Sequence, residues 1–492
     1  MTEIQLTDVS VRDGNQSLWG ATGLGTHHML EIAGLMDRAG FRAIDFTSSS
    51  HMAVAVRYFQ NDPWERIRRM RAAMPRTPLQ FITTGLRFIA WQQADPEFMR
   101  LVYRRLQANG IRKVIVLDPM HDADAVLEAA RIVKEEGDAE VMGALTFTLS
   151  TVHDDKFYAD FAAKLAKSPH IDLFYLKDPG GLMSPDRARS LARAVKAVIG
   201  IKRLEVHAHC TIGYGPLASL AAIETGCVDT VHVGIGPLGE GSSLPEAERM
   251  VANLREAGHE VAIDDKVLAK LSDYWWRLAR AEGLPPGTPQ PFDASFLRHQ
   301  IAGGVMTTTR RQLEELKLGY RFDEVVAETQ RVREELGAPI MVTPFPQMVM
   351  SQALFNVIGT KRYAQVSDQV LRYVLGKFGR PTAPVDPAVE AAILDRPRAR
   401  EIEAEPTFPS YVDLRRRFGV HMDDEEFLLR AVMPAEQVDA MRSAGRSRGT
   451  YTPEAAPLLS LLKQLAAKPA ARDIVVERPG LRIALHAGAG LD

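Results

Sequence analysis

Two histidines one residue apart close an apolar run: His207 and His209 in Arg203-Leu-Glu-Val-His-Ala-His-Cys-Thr-Ile-Gly213. Side chains at i and i+2 of a strand share a face, so the two imidazoles converge on one point, as a pair of metal ligands must. A pair of satisfied interior histidines has the same spacing, and the neighbouring motifs are what favour a ligand pair. Tyr175-Leu-Lys-Asp-Pro-Gly-Gly-Leu182 ends another apolar run with Lys177, and the first run of the chain leads into Val11-Arg-Asp-Gly-Asn-Gln-Ser17, which contains Asp13. If those ends lie side by side, an Asp, a Lys and two His line one cavity.

Strand and helix in alternation would bring them together. Apolar, β-branched runs recur at Ile4 to Val9, Phe41 to Phe46, Leu79 to Thr84, Lys113 to Asp118, Glu140 to Phe147, Leu173 to Asp178, Leu204 to His209 and Thr230 to Ile235. Between them lie helical segments such as the one from Asp95 to Gly110. Asp95 is its N-cap, Pro96 is at N1 and Asn109-Gly110 is its stop, while Phe98, Leu101, Val102 and Leu106 share one face. Eight βα units in about 250 residues predict an α/β fold, a (β/α)8 TIM barrel with its active site at the C-terminal ends of the strands. Asp13, Lys177, His207 and His209 all fall there.

Composition works by exclusion. With 46% hydrophobic and 25% charged residues and a net charge of -2, the chain can bury a large core but has no basic field for nucleic acid. The start, Met1-Thr-Glu-Ile-Gln-Leu-Thr-Asp, lacks a basic and then apolar leader, and no apolar stretch is long enough for a transmembrane segment, so a cytoplasmic protein is expected. Two cysteines in 492 residues, Cys210 and Cys227, exclude a disulfide framework. Cys210 adjoins His209 but faces the other side of the strand, which suits a small buried side chain better than a ligand.

After about residue 255 the text becomes helical. Residues 1–258 are expected to form the barrel with the metal site, and 259–378 a mainly helical domain that completes an active-site funnel. Residues 379–492 are expected to hold a proline-rich connector, Gly379 to Pro387, a charged extended segment, Arg396 to Pro409, and a tail with two short apolar runs and an Ala/Gly-rich, fraying end.

Motifs in both parts resemble one family, the carboxyltransferase subunits and domains of biotin-dependent enzymes: pyruvate carboxylase, the oxaloacetate decarboxylase α subunit and the transcarboxylase 5S subunit. Arg12-Asp-Gly-Asn-Gln-Ser17 is similar to the family's Arg-Asp-Ala-His-Gln-Ser, Asn61-Asp-Pro-Trp-Glu-Arg-Ile-Arg68 to Asp-Pro-Trp-Glu-Arg-Leu-Arg, and Leu86-Arg87 to the start of Leu-Arg-Gly. Leu176 to Leu182 resembles Ile-Lys-Asp-Met-Ala-Gly-Leu, and His207 to Gly213 resembles His-Thr-His-Asp-Thr-Ser-Gly. In the helical part, Arg298 to Gly304, Gly319 to Val325 and Met341-Val-Thr-Pro344 resemble His-Glu-Met-Pro-Gly-Gly, Gly-Glu-Arg-Phe-Asp-Glu-Val and Val-Lys-Val-Thr-Pro.

The resemblance implies a divalent ion, zinc, manganese or cobalt, held by Asp13, His207, His209 and a CO2-derived carbamate on Lys177. Without it, Lys177 reads as a solvated strand-end lysine paired with Asp178. It also implies that Gln16 and Arg87 hold the carbonyl and carboxylate of a 2-oxo acid, where Arg87 otherwise reads as a surface ion pair. Thr343, otherwise a helix N-cap before Pro344, matches the threonine that shuttles a proton between the acceptor's methyl group and biotin. The implied reaction moves carboxyl between carboxybiotin and pyruvate, oxaloacetate or a related acceptor through an enolate. No Ala-Met-Lys-Met motif or near variant occurs in the tail, so biotin is expected on a separate carrier protein, alongside a biotin carboxylase subunit, with this chain a homodimer.

Some positions depart from the family. Phe88 stands where the family has glycine, and Cys210 and Ile212 replace Asp and Ser, which predicts a pocket altered from the pyruvate pattern. Gly234-Ile-Gly-Pro-Leu-Gly-Glu-Gly241 reads more like the loop of related Claisen-type acyl-CoA synthases and aldolase-type lyases. It also satisfies Gly-x-Gly-x-x-Gly, but it follows the last barrel strand and not the first of a βαβ unit, against a dinucleotide site. Two further readings therefore stand beside carboxyl transfer: a synthase or lyase using Asp13, His207 and His209 without a carbamate, and a scaffold subunit without catalysis.

Overall fold

The computed structural model describes residues 3–301, 303–315, 317–447, 451, 461, 465, 473–478 and 481–486. Eight strands form the expected barrel: β1 Gln5–Asp8, β2 Ala43–Ser48, β3 Leu79–Thr83, β4 Ile111–Val116, β5 Glu140–Thr146, β6 Leu173–Asp178, β7 Arg203–Ala208 and β8 Thr230–Val233. They close in sequence order, every pair parallel, with β1 completing the ring against β8. Their ends differ from the apolar runs by a residue or two, the ordinary uncertainty of strand termini.

The helices form where caps and apolar faces dictate. Pro96–Asn109 begins at Asp95, whose carboxylate accepts from the backbone N–H groups of Glu97 and Phe98, and ends at Gly110 in the left-handed region (φ 119°). Its face of Phe98, Val102 and Leu106 is fully buried against the sheet. Inside the ring, Ile115, Leu117, Met142, Ala144, Leu173 and Tyr175 form a separate apolar plug. Above that plug lie the strand ends that carry the polar residues.

Beyond the barrel the chain is helical, and its parts pack in two places. Asp265–Glu282 stays on the barrel, where the Tyr274 hydroxyl donates to the carbonyl of His28 (2.8 Å). The segments from Phe296 to Glu403 build a second core around Val325, Val332, Phe345, Met348, Leu371 and Ile402. The helices Tyr411–Phe418, Asp424–Val432 and Ala435–Ala444 then return to the barrel's flank. There Phe427 packs on Phe98, and Glu425 accepts from Arg68, Arg105 and Asn109 (2.6–2.7 Å).

The segment Arg396 to Pro409, expected to be extended, contains the helix Pro397–Glu403. Arg396 is extended, as a residue before proline prefers, and Pro397 then starts a helix whose Ala399 and Ile402, three apart, fall on one buried face. In the tail, Asp473–Arg478 and Leu481–His486 pair antiparallel; the Ala/Gly-rich end, 487–492, lies outside the described residues. No described helix is long and apolar enough to cross a membrane.

One buried cation ties the two cores together. Arg333 of the helix Phe322–Glu335 is 4% exposed and donates to the carbonyl of Pro339 (3.0 Å), and to the carbonyl of Leu149 (3.0 Å) and the hydroxyl of Thr148 (2.9 Å) in the loop after β5. Gln300 donates to the same Leu149 carbonyl and accepts from Thr148 (both 2.9 Å). Removing a buried donor strands its acceptors at about 1–3 kcal/mol each. Arg333→Leu is therefore expected to cost about 3 kcal/mol or more in denaturant unfolding; a loss under about 1 kcal/mol would show that the contact does not hold the two cores together.

Candidate active site

Asp13 sits in a tight five-residue π-turn, Ser10–Gly14, directly after β1. Gly14 is required there, since a Cβ at that position would lie 2.7 Å from the carbonyl oxygen of Leu238 in the loop after β8. Arg12 aims the carboxylate: its Nε donates to Asp45 Oδ2 on β2 (2.8 Å), and its Nη1 meets Asp13 Oδ2 at 2.8 Å. The Ser17 hydroxyl donates to the other Asp13 oxygen (2.9 Å).

Lys177 and His207 are directly paired neighbours on β6 and β7. Lys177 Nζ lies 2.9 Å from His207 Nε2 and 3.4 Å from Asp13 Oδ2. His207 Nε2 is 3.2 Å from His209 Nε2 and 3.3 Å from Asp13 Oδ2, and His209 Nε2 is 3.5 Å from Asp13 Oδ1. All four side chains are buried. The solvated lysine paired with Asp178 is thus not what forms; Asp178 instead accepts from the Met183 N–H (2.7 Å) in the turn after β6.

These spacings suit a cation. An ion with bonds of about 2.0–2.2 Å in tetrahedral geometry holds its ligand atoms roughly 3.3–3.6 Å apart. Asp13, His207 and His209 already show nearly those separations, and they form the potential metal-ligand cluster among the described residues. His209 is held for that role: its Nδ1 donates to the carbonyl of Ser242 (2.7 Å), leaving Nε2 bare.

Burial opposes the Asp13 charge, yet Arg12 and Lys177 hold its carboxyl well below the usual carboxylate range. Burial pulls Lys177 below the ordinary lysine value, with Asp13 opposing it. His207 is held well below the ordinary histidine value by burial and then by the charge of Lys177, and burial likewise lowers His209. The imidazoles are therefore neutral, the form that binds metal.

Above this group opens a cavity of about 370 Å³. Asp13, Lys177 and His209 reach it from the barrel, Gln16 flanks it, and Thr343 and Gln347 reach it from the helical part. Thr343 does not cap a helix: Phe345–Ile358 begins with Pro344 in the cap position and no side-chain cap bond. Arg87 stands apart from the lining. It is buried, 3.5 Å from Asp118, and donates to the carbonyls of Trp91 (3.1 Å) and Phe378 (2.9 Å), so it is no surface ion pair.

The three family departures do not shape this cavity. Phe88 (1% exposed) packs between Trp64 and Phe98 in the barrel core, with ring centroids 6.0 and 6.5 Å away. Cys210 and Ile212, at 0% and 2% exposure, are equally internal. Phe88 is buried, and the next residue, Ile89, adopts a left-handed conformation (φ 62°) that no local pattern announces. None of the three is among the residues that line the cavity, where the departures from the family had placed them. The glycine run after β8 is a self-closing turn: the Gly234 carbonyl and the Gly239 backbone approach so closely that a Cβ on Gly239 would lie 2.7 Å from that oxygen.

Two interior groups escaped the sequence reading. His207 Nδ1 meets Nδ1 of His232 on β8 at 3.0 Å, and His232 Nε2 meets Glu205 Oε2 at 2.9 Å. Glu205 lies two residues before His207 on one strand face, so the period of two contained that signal. His232 is inward by the same rule, but it sits in a four-residue strand whose one other inward residue, Thr230, carries no charge to mark the pair as special.

Known proteins resemble the chain over most of its length. The sequence profile of a conserved carboxylase domain matches residues 296–457, and an HMGL-like profile matches residues 102–274. A pyruvate carboxylase subunit of Methanothermobacter thermautotrophicus is 32% identical over 441 residues, which span 88% of this chain and 77% of that protein. The chain belongs to the biotin-dependent carboxyltransferases. The carboxyltransferase is also 29% identical to the 2-oxoglutarate carboxylase large subunit of Hydrogenobacter thermophilus, over 92% of this chain and 70% of that one. Its fold matches the carboxyl transferase domain of Rhizobium etli pyruvate carboxylase, solved with oxamate and biotin, with a TM-score of 0.82 at 21% identity over 92% of this chain and 80% of that one.

Proposed function

We propose that this carboxyltransferase moves a carboxyl group between carboxybiotin, borne by a separate carrier protein that a biotin carboxylase subunit charges, and a 2-oxo acid such as pyruvate or oxaloacetate. The observation that carries the reading is the convergence of Asp13, Lys177, His207 and His209 beneath a cavity that Thr343 reaches from the helical part. A zinc, manganese or cobalt ion held by these four residues would supply Lewis-acid polarisation of the acceptor's keto group.

Charge balance supports a carbamate on Lys177. Arg12 offsets Asp45, which leaves Asp13 against the lysine ammonium. When the neutral amine adds to the carbon of CO2 and loses a proton to water, the product is an anion. Two negative charges then remain, which a divalent ion neutralises.

In the forward direction carboxybiotin releases CO2, and the ureido nitrogen left behind takes the proton of the Thr343 hydroxyl. That hydroxyl takes one from the acceptor's methyl group, and the resulting enolate carbon bonds to CO2. Gln16 faces the cavity to hold the keto oxygen. Arg87 is the proposed partner of the acceptor carboxylate, for which its guanidinium exchanges one of the peptide carbonyls that hold it in this conformation.

Free biotin is expected to support pyruvate-stimulated decarboxylation of oxaloacetate by the purified chain. Thr343→Ala should lower that rate by about 10²–10⁴-fold, the worth of a positioned proton-transfer group, with metal content unchanged. The HMGL-like match over residues 102–274 favours a second reading, a Claisen-type synthase or lyase, for the barrel alone. Condensation of a 2-oxo acid with acetyl-CoA, in a protein inert towards oxaloacetate, would decide for it.

A further inference from the structure

We propose that His232 and Glu205 are positioning residues that fix the tautomer of His207, keeping its Nε2 bare for the metal. The inference deepens the metal site proposed above and rests on it. It follows from hydrogen-bond directions that can be traced from either end of one buried chain.

At the far end, Glu205 Oε1 accepts from Lys113 Nζ (2.7 Å) and from Arg42 Nε (3.3 Å). Two cations on one carboxylate keep it ionised, so Glu205 only accepts. His232 Nε2, 2.9 Å from Glu205 Oε2, must therefore carry a proton. At the near end, Lys177 Nζ lies 2.9 Å from His207 Nε2, a contact in which the lysine N–H can donate to a bare nitrogen. A bare Nε2 puts the His207 proton on Nδ1, which donates to His232 Nδ1 across 3.0 Å. The Glu205 end thus sets the arrangement and the Lys177 end fits it: Glu205 accepts from His232, and His232 accepts from His207.

Glu205, His207 and His232 are all 0% exposed, so no solvent exchange can relax that order. His207 therefore differs from His209, whose tautomer is set by a backbone carbonyl that substitution cannot remove. The tautomer of His207 rests on two side chains and can be reversed. In Glu205→Gln the amide oxygen stays with Lys113 and Arg42, so the amide NH2 faces His232 Nε2. His232 then carries its proton on Nδ1, His207 must accept there, and the proton of His207 moves to Nε2, where it blocks the ion. A substitution that changes no ligand thereby removes one.

The test is cobalt(II) titration of the metal-free full chain and its variants, with a chelator as competitor and the visible absorption of the bound ion as the readout of its ligand set. Glu205→Gln and His232→Phe should bind cobalt about 10–100-fold more weakly, the usual cost of losing the group that orients a ligating histidine, with an altered visible spectrum. His232→Asn, whose amide oxygen can accept from His207 Nδ1 and whose NH2 turns towards Glu205, should stay within a few-fold of wild type. Should Glu205→Gln fail to fold, the contrast between His232→Phe and His232→Asn carries the result. Equal affinities in wild type and all variants, or equal losses in Phe and Asn, would overturn the relay while leaving the metal site standing. Wild-type protein that binds no cobalt would sink the metal site, and the relay with it.

Discussion

Lys177→Ala is expected to lower carboxyl transfer by about a thousandfold or more and to weaken metal binding. The lysine lies between Asp13 and His207 at the floor of the cavity, and a water entering in its place would not supply the anionic ligand. Alanine supplies nothing, and Lys177→Arg keeps a permanent cation beside the ion, so it should fail as well. The magnitude follows from the several kcal/mol that correct charge stabilisation contributes, at about 1.4 kcal/mol per tenfold. Because burial lowers Lys177 from its ordinary value, its amine becomes neutral at lower pH than a surface lysine. At fixed dissolved CO2, carbamate content and activity should therefore rise with pH below the ordinary lysine range. Native mass spectrometry under bicarbonate should show the mass of one CO2 added to the wild-type chain and none to either variant. An unmodified ammonium turned away from a bound ion, in protein that still decarboxylates oxaloacetate, would end the carbamate mechanism.

The second large effect concerns the histidine pair. His207→Ala with His209→Ala should take the chain from one bound divalent ion to none, because the lysine and one carboxylate left behind cannot fill a coordination shell. Wild-type protein should gain about 2.7 kcal/mol of stability when the free ion stands at a hundred times its dissociation constant. The double variant should gain none. Asp13 keeps its partners Arg12 and Lys177 in that variant, so the metal-free fold should persist. Elemental analysis that still finds a full equivalent of ion would place the metal elsewhere.

Much of this was legible because of strand periodicity. Eight β-branched runs specify the barrel, and the rule that i and i+2 share a face puts His207 and His209 together from the sequence alone. The same rule applies to Glu205 and His232, which nonetheless went unnoticed, because period alone cannot say that two inward polar residues on adjacent strands share a register and touch. Asp13 was found by motif, whereas its π-turn was not, since Gly14 there packs against the Leu238 carbonyl from the loop after β8, more than 200 residues away in the chain. Phe88 was expected at the pocket for want of tertiary information: its partners Trp64 and Phe98 lie far off in sequence or on another helix, and no motif names them. The return of residues 411–447 to the barrel was also hidden, because an amphipathic helix declares that it has an apolar face but not which partner will cover it.

That return gives the helical part a mechanical property. It leaves the barrel at Asp265–Glu282, held by Tyr274 on His28, and rejoins it at Phe408 and Phe427, both seated on Phe98. Between those two joints it is fastened again, by Arg333 and Gln300 on the loop after β5 and by the Phe378 carbonyl on Arg87. Each added joint removes a freedom of movement. Thr343 therefore stands over Asp13, Lys177 and His209 as part of a fixed roof and unlike the end of a tethered arm.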